Sequence, residues 1–416
     1  MSSAARASIL APFGQRSFRF QWPADLATSW AFEMETLILA WFVLNETGSV
    51  VWLTAFAALQ FLGTLISPMV GVMGDRIGQR RVLMAMRATY ALLAALLAAM
   101  ALTGTLGIVA VFCVALLAGL VRPSDVGMRS ALIGATMPAP LLMGAMSISR
   151  TSADGARVLG ALSGAALVAW LGIGFAYLAV LGFYLLSVAL MFGIREVPPD
   201  ATRAPLGAVW GELAEGVSHV RARPALIAAL AMAFLANALA FPLSGGLLPH
   251  VARDVYGIGQ TGLGALVASF AGGALAGSIL LGARGARLPP GRTMLVASLA
   301  WFLLLMAFAL IRAPAVGMVV LALAGFVQSF CMVPMAVLLL RVSQERFRGR
   351  VMGLRMLAVY GLPLGLLASG PLIARFGFAP TAFGYAAAAL ACAGLIGWRW
   401  RGHIWSRNAP ANATQS

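Results

Sequence analysis

Twelve apolar runs alternate with short polar breaks along the chain. A helix needs roughly 20 mostly apolar residues to cross the hydrocarbon core of a bilayer, and the runs are about that long. They lie at 23–44, 50–71, 82–103, 106–124, 142–170, 173–194, 225–248, 261–282, 293–311, 315–340, 351–374 and 380–398. The pattern therefore predicts an all-α membrane protein with twelve transmembrane helices.

The composition excludes a soluble globular protein. Of the 416 residues, 61% are hydrophobic and 10% are charged, whereas soluble domains are about 45–50% apolar and about 25% charged. All 29 basic residues are arginine, and the net charge is +16. These arginines lie at the ends of apolar runs, so we expect no nucleic-acid partner. Basic residues in short loops stay on the cytoplasmic side, which predicts an inner-membrane protein with both termini in the cytoplasm.

The longest polar stretch, residues 195–224, divides the chain into halves. We expect a six-helix bundle at 1–194, a cytoplasmic linker at 195–224, and a second bundle with a short cytoplasmic tail at 225–416. Apolar positions at helical spacing predict an amphipathic helix at 206–220 within the linker. Ser163-Gly164 recurs 206 positions later as Ser369-Gly370, which indicates a parallel duplication into two pseudo-symmetric bundles.

The polar break at 71–81 reads Gly-Val-Met-Gly-Asp-Arg-Ile-Gly-Gln-Arg-Arg, which is typical of a tight turn outside the bilayer. It resembles the loop between the second and third helices of major facilitator superfamily transporters, G-x-L-A-D-R-x-G-R-R. The segments 247–274 and 342–353 are similar to those of the enterobactin-exporter-like efflux subgroup. The resemblance implies the major facilitator fold and alternating access driven by an ion gradient, usually with export of a small organic solute.

By this resemblance, two cytoplasmic loops form the conformational switch. Its residues are Gly71, Asp75, Arg76, Gly78, Arg80, Arg81, Arg348 and Arg350. Asp75 would act as a latch by pairing with arginines of its own loop or of 346–350. The second-half counterpart at 282–292 has no acid. The segment 160–164 also lacks the proline usual in the fifth helix of such exporters, so this motif does not establish antiport.

One face of the first predicted helix is polar. It carries Asp25, Thr28, Ser29, Glu33, Glu35 and Thr36, which fit an arc of about 160° at 100° per residue. Glu33 and Glu35 lie ~12–15 Å along the helix from Asp25, near the midplane, where an acid costs at least ~2.5 kcal/mol. They either carry a proton, bind a cationic group of the substrate, or pair with a buried arginine. Asp25 is interpreted as a residue at the helix start.

A second charged cluster, Arg150, Asp154 and Arg157, lies in the fifth run. Its spacing places Asp154 against both arginines. The cluster is either self-neutralised, or one arginine meets a carboxylate or catecholate substrate or pairs with Glu33 or Glu35. Arg122, at the predicted end of the fourth run, resembles an arginine that some exporters use in proton transfer. Candidates for lining a cavity are Asp25, Gln60, Asn237, Gln328, Arg355 and Tyr360.

Catalytic and nucleotide-binding motifs are absent from the sequence. It has no G-x-x-x-x-G-K-[ST] loop, no nucleophile–base pair and no metal-ligand spacing, so we expect no enzyme activity and no cofactor beyond a proton gradient. The favoured interpretation is a monomeric secondary transporter in the lipid bilayer that exports a siderophore or drug-like molecule. The alternatives are a proton-symport importer of a nutrient or metal chelate, a lipid flippase, and a membrane protein without transport activity.

Overall fold

The computed structural model describes residues 11–196, 208–284, 288–344 and 347–404. This part of the chain is almost entirely helical and contains no strand. The α-helices are α1 Arg16–Thr47, α2 Val50–Leu59, α3 Ser67–Ile77, α4 Gln79–Leu102, α5 Ile108–Thr136, α6 Ala139–Met191, α7 Ala208–Arg221, α8 Pro224–Leu235, α9 Leu248–His250, α10 Gln260–Arg284, α11 Pro290–Leu310, α12 Pro314–Val342, α13 Arg348–Ala358, α14 Gly361–Phe376, α15 Phe378–Arg399 and α16 Arg401–Ile404. Short 3-10 turns lie at Ala11–Gly14 and Leu62–Leu65, and π-helical turns lie at Ala236–Ala240, Pro242–Gly246 and Val251–Val255.

Ten helical segments in the described residues are long and apolar enough to cross a membrane. One of them, in α6, breaks at Gly172, whose φ of 80° lies in the left-handed region that favours glycine. It therefore contributes two helices. The segment Val50–Thr64 is a shorter apolar helix. Counted in this way, the twelve predicted helices are present, and the prediction of an all-α membrane protein is confirmed.

Two predicted boundaries are wrong. The segment 71–81 is mostly helical, since α3 continues to Ile77 and the turn is made by Gly78 alone, at a φ of 104°. The fourth helix does not end at 124, because α5 runs through Pro123 to Thr136. Polar residues after Pro123 resemble a loop in the sequence. Ser124 and Asp125 are instead buried inside the fold, and Asp125 pairs with Arg129. There, a helix with all its backbone groups bonded is the stable state.

The π-helical turns extend the helix that begins with α8. Pro242 starts one of these turns, and a proline removes a backbone hydrogen bond from the helical ladder. The residues after it re-form wider turns, so the apolar segment reaches Val255 and not the predicted 248.

The chain divides into two compact units. The first unit comprises Met1–Ile38 and Ile66–Ala204, and the second comprises Leu39–Leu65 and Pro205–Ser416. In the second unit, α2 packs against α14, where Gly370 leaves no room for a Cβ beside Thr54. The sequence-based domain boundaries at 194 and 225 stay a prediction, and residues 197–207 of the predicted linker lie outside the described residues.

The helix predicted at 206–220 forms as α7 and packs against α13. The ring of His219 stacks on Phe347 with 4.1 Å between ring centroids, and Glu215 forms an ion pair with Arg350. Burial lowers the pKa of His219, and the adjacent Arg223 guanidinium lowers it further. A neutral ring accepts the hydrogen bond that Arg223 donates to its Nδ1, at 2.9 Å. Within the second unit, the linker helix is therefore joined to Phe347 and α13 through a ring stack and an ion pair.

Backbone contact between α10 and α12 depends on glycine. A Cβ on Gly273 would overlap the carbonyl oxygen of Ala322, and a Cβ on Gly325 would overlap that of Phe270. The hydroxyl of Ser329 donates to the carbonyl of Ala274 at 2.6 Å. Small residues allow such close packing in membranes, where helices gain little from the hydrophobic effect and associate by van der Waals contact.

We expect Gly273→Ala to lower the free energy of unfolding by about 1–3 kcal/mol, because the added methyl group must push α12 away. The measurement is chemical unfolding of the purified protein in detergent, followed by tryptophan fluorescence. Gly272→Ala is the matched control, since a Cβ at Gly272 meets nothing within 4 Å. Equal stability of the two variants would contradict this account of the interface.

Candidate functional site

Three carboxylates of α1 each pair with an arginine from another helix of the first unit. Asp25 pairs with Arg87 of α4, Glu33 with Arg157 of α6, and Glu35 with Arg122 of α5. At a rise of 1.5 Å per residue, the pairs occupy successive levels over about 15 Å of α1. The polar face predicted for this helix is therefore a ladder of ion pairs.

The level at Asp25 is the most buried. The Arg87 guanidinium is fully buried and donates to Asp25 Oδ1. Arg129 donates to the backbone carbonyl of Asp25 at 3.2 Å and pairs with Asp125, one helical turn away on α5. Asp25 was predicted to start the helix, and that interpretation is wrong. Because α1 begins at Arg16, Asp25 lies in its third turn and joins three helices.

The level at Glu35 combines an ion pair with two further contacts to the same arginine. Arg122 Nη2 lies 2.5 Å from Glu35 Oε2, and Tyr184 donates its hydroxyl to the same oxygen at 3.0 Å. Arg122 also donates to Thr36 at 3.0 Å, and its guanidinium carbon lies 3.2 Å from the centre of the Phe32 ring. Such a cation–π contact stabilises a desolvated guanidinium. Arg122 lies in the middle of α5. The sequence predicts it at the end of this helix, and that prediction is wrong.

The level at Glu33 is more open. Arg157 Nε lies 3.3 Å from Glu33 Oε1, and the two side chains are 41% and 29% exposed. Glycine allows this contact, since a Cβ on Gly160 would lie 2.8 Å from the Cβ of Glu33, and one on Gly164 would lie 3.0 Å from the Cα of Met34. The segment 160–164 therefore brings α6 against the backbone of α1, one turn from Arg157.

The predicted cluster in α6 is divided between two partners. Asp154 Oδ2 lies 3.4 Å from Arg150 Nε, whose side chain is largely exposed. The ion pair of Arg157 is made with Glu33. Of the two arrangements considered for this cluster, the described contacts correspond to an arginine of α6 paired with a glutamate of α1.

Two arginines of the predicted switch loop bind the end of α6. Arg80 donates to the carbonyls of Met191 and Phe192, at 3.0 and 3.3 Å, and so bonds helix-terminal carbonyls that lack partners in the helix. Arg81 Nε lies 2.5 Å from a carboxylate oxygen of Glu196. Arg76 is exposed. The side chains of Asp75 and Arg348, and the surroundings of Gly71, lie outside what the structure describes, and the latch stays a prediction.

The other cavity candidates belong to the second unit. Asn237 donates to the carbonyl of Ala233 in its own helix at 2.8 Å, and Tyr360 donates to the carbonyl of Leu62 at 2.8 Å. These two side chains therefore have structural partners. The remaining candidates are half-buried, and they are Gln60, Gln328 and Arg355.

The sequence did not identify the two arginines that pair with Asp25, or the acid that lies beside them. Arg87 and Asp125 are buried at this level, and Arg129 is partly buried beside them. A single charged residue in an apolar run is the signal that identifies Arg87. With them, the charges of this region balance. The five carboxylates are Asp25, Glu33, Glu35, Asp125 and Asp154, and the five arginines are Arg87, Arg122, Arg129, Arg150 and Arg157. The described residues contain no group of three His, Cys, Asp or Glu able to hold a metal.

We expect Arg87→Met to lower the free energy of unfolding by about 3–5 kcal/mol, because it leaves a buried carboxylate without its partner. Adding Asp25→Asn should restore part of that loss, which a double-mutant cycle of chemical unfolding in detergent measures. Arg19→Met is the control, since Arg19 is exposed. Additive losses in the double variant would show that the two side chains are not energetically coupled.

Comparisons with known proteins agree with this architecture. The sequence matches the Major Facilitator Superfamily over residues 22–362, and no curated protein matches it. Three solved structures share its fold. They are the POT family transporter PepTSo (TM-score 0.76, 12% identity, 94% of this chain and 99% of that one), a D-xylose-proton symporter (0.69, 12%, 91% and 96%) and the human organic anion transporter MFSD10 (0.65, 18%, 92% and 99%). The chain therefore belongs to the Major Facilitator Superfamily, and it is a multi-pass membrane transporter of small molecules rather than an enzyme.

Proposed function

We propose that this transporter exports a small organic solute, siderophore or drug-like in size and character, by alternating access coupled to proton entry. The observation that carries this proposal is the buried pair of Glu35 and Arg122, with Tyr184 bound to the same carboxylate oxygen. An ionisable residue within a membrane span is by default a functional candidate, and a carboxylate is the group there that can take up and release a proton.

Protonation of Glu35 would remove one of the charges in its pair with Arg122. The ion pair would then become a hydrogen bond from the charged guanidinium to a neutral carboxyl group, and the contact between α1 and α5 would weaken. Arg122 would keep its contacts with Thr36 and Phe32, so the guanidinium would not be left unpaired. Glu35 would thus exist in a charged, paired state and a neutral, released state. An antiporter needs two such states to alternate between proton and solute.

The remaining features of the proposal follow from the distribution of charge. The arginines concentrate at one set of helix ends, which supports an inner-membrane location with both termini in the cytoplasm. The proton gradient supplies the energy without a cofactor, and the protein acts as a monomer. Arg80 and Arg81, which bind the end of α6, would serve in the cytoplasmic switch together with Asp75.

The direction of transport is tested by deleting the gene and profiling small molecules in cells and in medium. We expect at least one organic solute to accumulate inside the deletion strain and to return to the normal level when the gene is restored. Reduced uptake of a solute from the medium, without accumulation inside, would establish an importer instead.

The coupling residue is tested with Glu35→Gln in membrane vesicles that are supplied with the solute identified by the profiling experiment. We expect accumulation driven by a pH gradient to fall by about tenfold or more, since glutamine cannot take up or release a proton. Downhill equilibration should persist, because glutamine mimics the protonated acid. Glu46→Gln is the matched control, since Glu46 is exposed near the end of α1. Full gradient-driven accumulation by Glu35→Gln would rule out this residue as the proton carrier.

Asp75→Asn should slow transport without changing which solute is chosen. The reason is that a latch between loops governs the change of state and does not contact the solute. The measurement is the maximal transport rate and the half-saturating solute concentration in the same vesicles. A changed half-saturating concentration at an unchanged maximal rate would place Asp75 in solute binding.

A further inference from the structure

Of the three ion pairs on α1, the pair of Glu33 and Arg157 is the open one. Its side chains are 29% and 41% exposed, whereas the pair of Glu35 and Arg122 is 5% and 8% exposed. The pair of Asp25 and Arg87 is also closed, with a fully buried guanidinium. The side chains of Glu33 and Arg157 therefore have accessible surface that a ligand can contact without separation of the helices.

The exposed leucines nearest to Arg157 lie on the other side of its helix. Leu159 and Leu162 are also exposed, and at 100° per residue they lie about 160° and about 140° around the helix from Arg157. Exposed leucines suit contact with acyl chains, and a guanidinium does not. The open ion pair lies on the opposite side of this helix from these two leucines.

The pair leaves a matched set of donors and acceptors unused. Glu33 Oε1 accepts from Arg157 Nε at 3.3 Å. Among the described residues, no other group binds the Glu33 carboxylate or either Nη group of Arg157. The two Nη groups form the planar edge that binds a carboxylate with two parallel hydrogen bonds. The second oxygen of Glu33 is an acceptor suited to an ammonium group.

Charge balance selects the ligand class. A ligand with only a negative charge would engage Arg157 and leave Glu33 unpaired, and a ligand with only a positive charge would do the reverse. An uncompensated charge away from bulk water is strongly unfavourable. A ligand with both charges compensates both residues at once and leaves the site neutral.

We infer that Glu33 and Arg157 recognise a small zwitterion, with its ammonium group on Glu33 and its carboxylate on Arg157. This inference rests on the proposed transport function and names the charge class of its solute. Because the two residues touch, the two charges of the ligand lie only a few bonds apart, as they do in amino acids. Gly160, which lets α6 approach Glu33, fixes the distance between the two halves of the site.

The experiment measures binding to the purified full-length protein in detergent, without a gradient, by calorimetry and by the shift of the unfolding temperature. The probes are the standard amino acids and, for leucine and phenylalanine, the analogues that keep only one charge. These analogues are isoamylamine and 4-methylpentanoate, and phenethylamine and 3-phenylpropionate. We expect at least one amino acid to bind, and in a matched triplet the zwitterion to bind about tenfold or more tightly than either analogue.

Two variants are expected to change the preference among the probes in opposite directions. Glu33→Gln should shift the preference toward the carboxylate-only analogue, and Arg157→Gln should shift it toward the amine. Glu46→Gln and Arg19→Gln are the matched controls on exposed residues, and they should keep the wild-type order. A merely structural ion pair would weaken all probes alike in both variants. Each variant tests the inference alone, so a folding defect in one leaves the other decisive.

Two results would overturn the inference. One is the absence of binding by any amino acid at millimolar concentration, and the other is equal binding of the three members of every triplet. Failure of the proposed function gives a different result. Selective zwitterion binding without transport driven by a pH gradient would refute proton coupling alone, and proton-coupled transport of an uncharged solute would refute only the zwitterion site.

Discussion

Charge compensation away from water is the constraint on which the first unit depends. Moving one ion out of water costs several kcal/mol even after the protein relaxes, so each buried carboxylate requires a cation in contact. Asp25, Glu33 and Glu35 have partners on three different helices, namely α4, α6 and α5. A shift of α1 relative to any of these helices would separate a pair. The ion pairs therefore help to fix the position of α1, together with the close packing of Gly160 and Gly164 against its backbone.

The three levels differ in how easily a pair can be exchanged. Arg87 is enclosed, and Asp25 has further contact with Arg129, so this level holds the helices together. Glu35 is also enclosed. Its carboxylate binds the Tyr184 hydroxyl and Arg122, and Arg122 has further contacts with Thr36 and Phe32. Loss of its charge would therefore leave no cation stranded. Arg157 is open and uses one of its three nitrogens. Pairs that differ in how easily they can be exchanged thus share the polar face of a single helix.

The sequence was sufficient to predict the helical membrane fold and the polar face of the first helix, because hydropathy and helical period are local properties. It was not sufficient for the partners of Asp25. Arg87 and Arg129 are separated from it by 62 and 104 positions, and their meeting depends on how the helices cross. The polar residues after Pro123 were misread for a related reason. Asp125 and Arg129 resemble a loop until the neighbours that bury them are known. The segment 160–164, judged by its missing proline, proved informative through its glycines, which bring Arg157 to Glu33.

The absence of lysine from the chain acquires a meaning once the ion pairs are known. A lysine can lose its proton when it is desolvated, but an arginine stays charged under all conditions that a protein meets. Every cation in the ladder is an arginine. The positive charge in each pair is therefore constant, and a proton that enters the ladder must bind to a carboxylate. The net charge of the ladder therefore changes only when one of its carboxylates takes up or releases a proton.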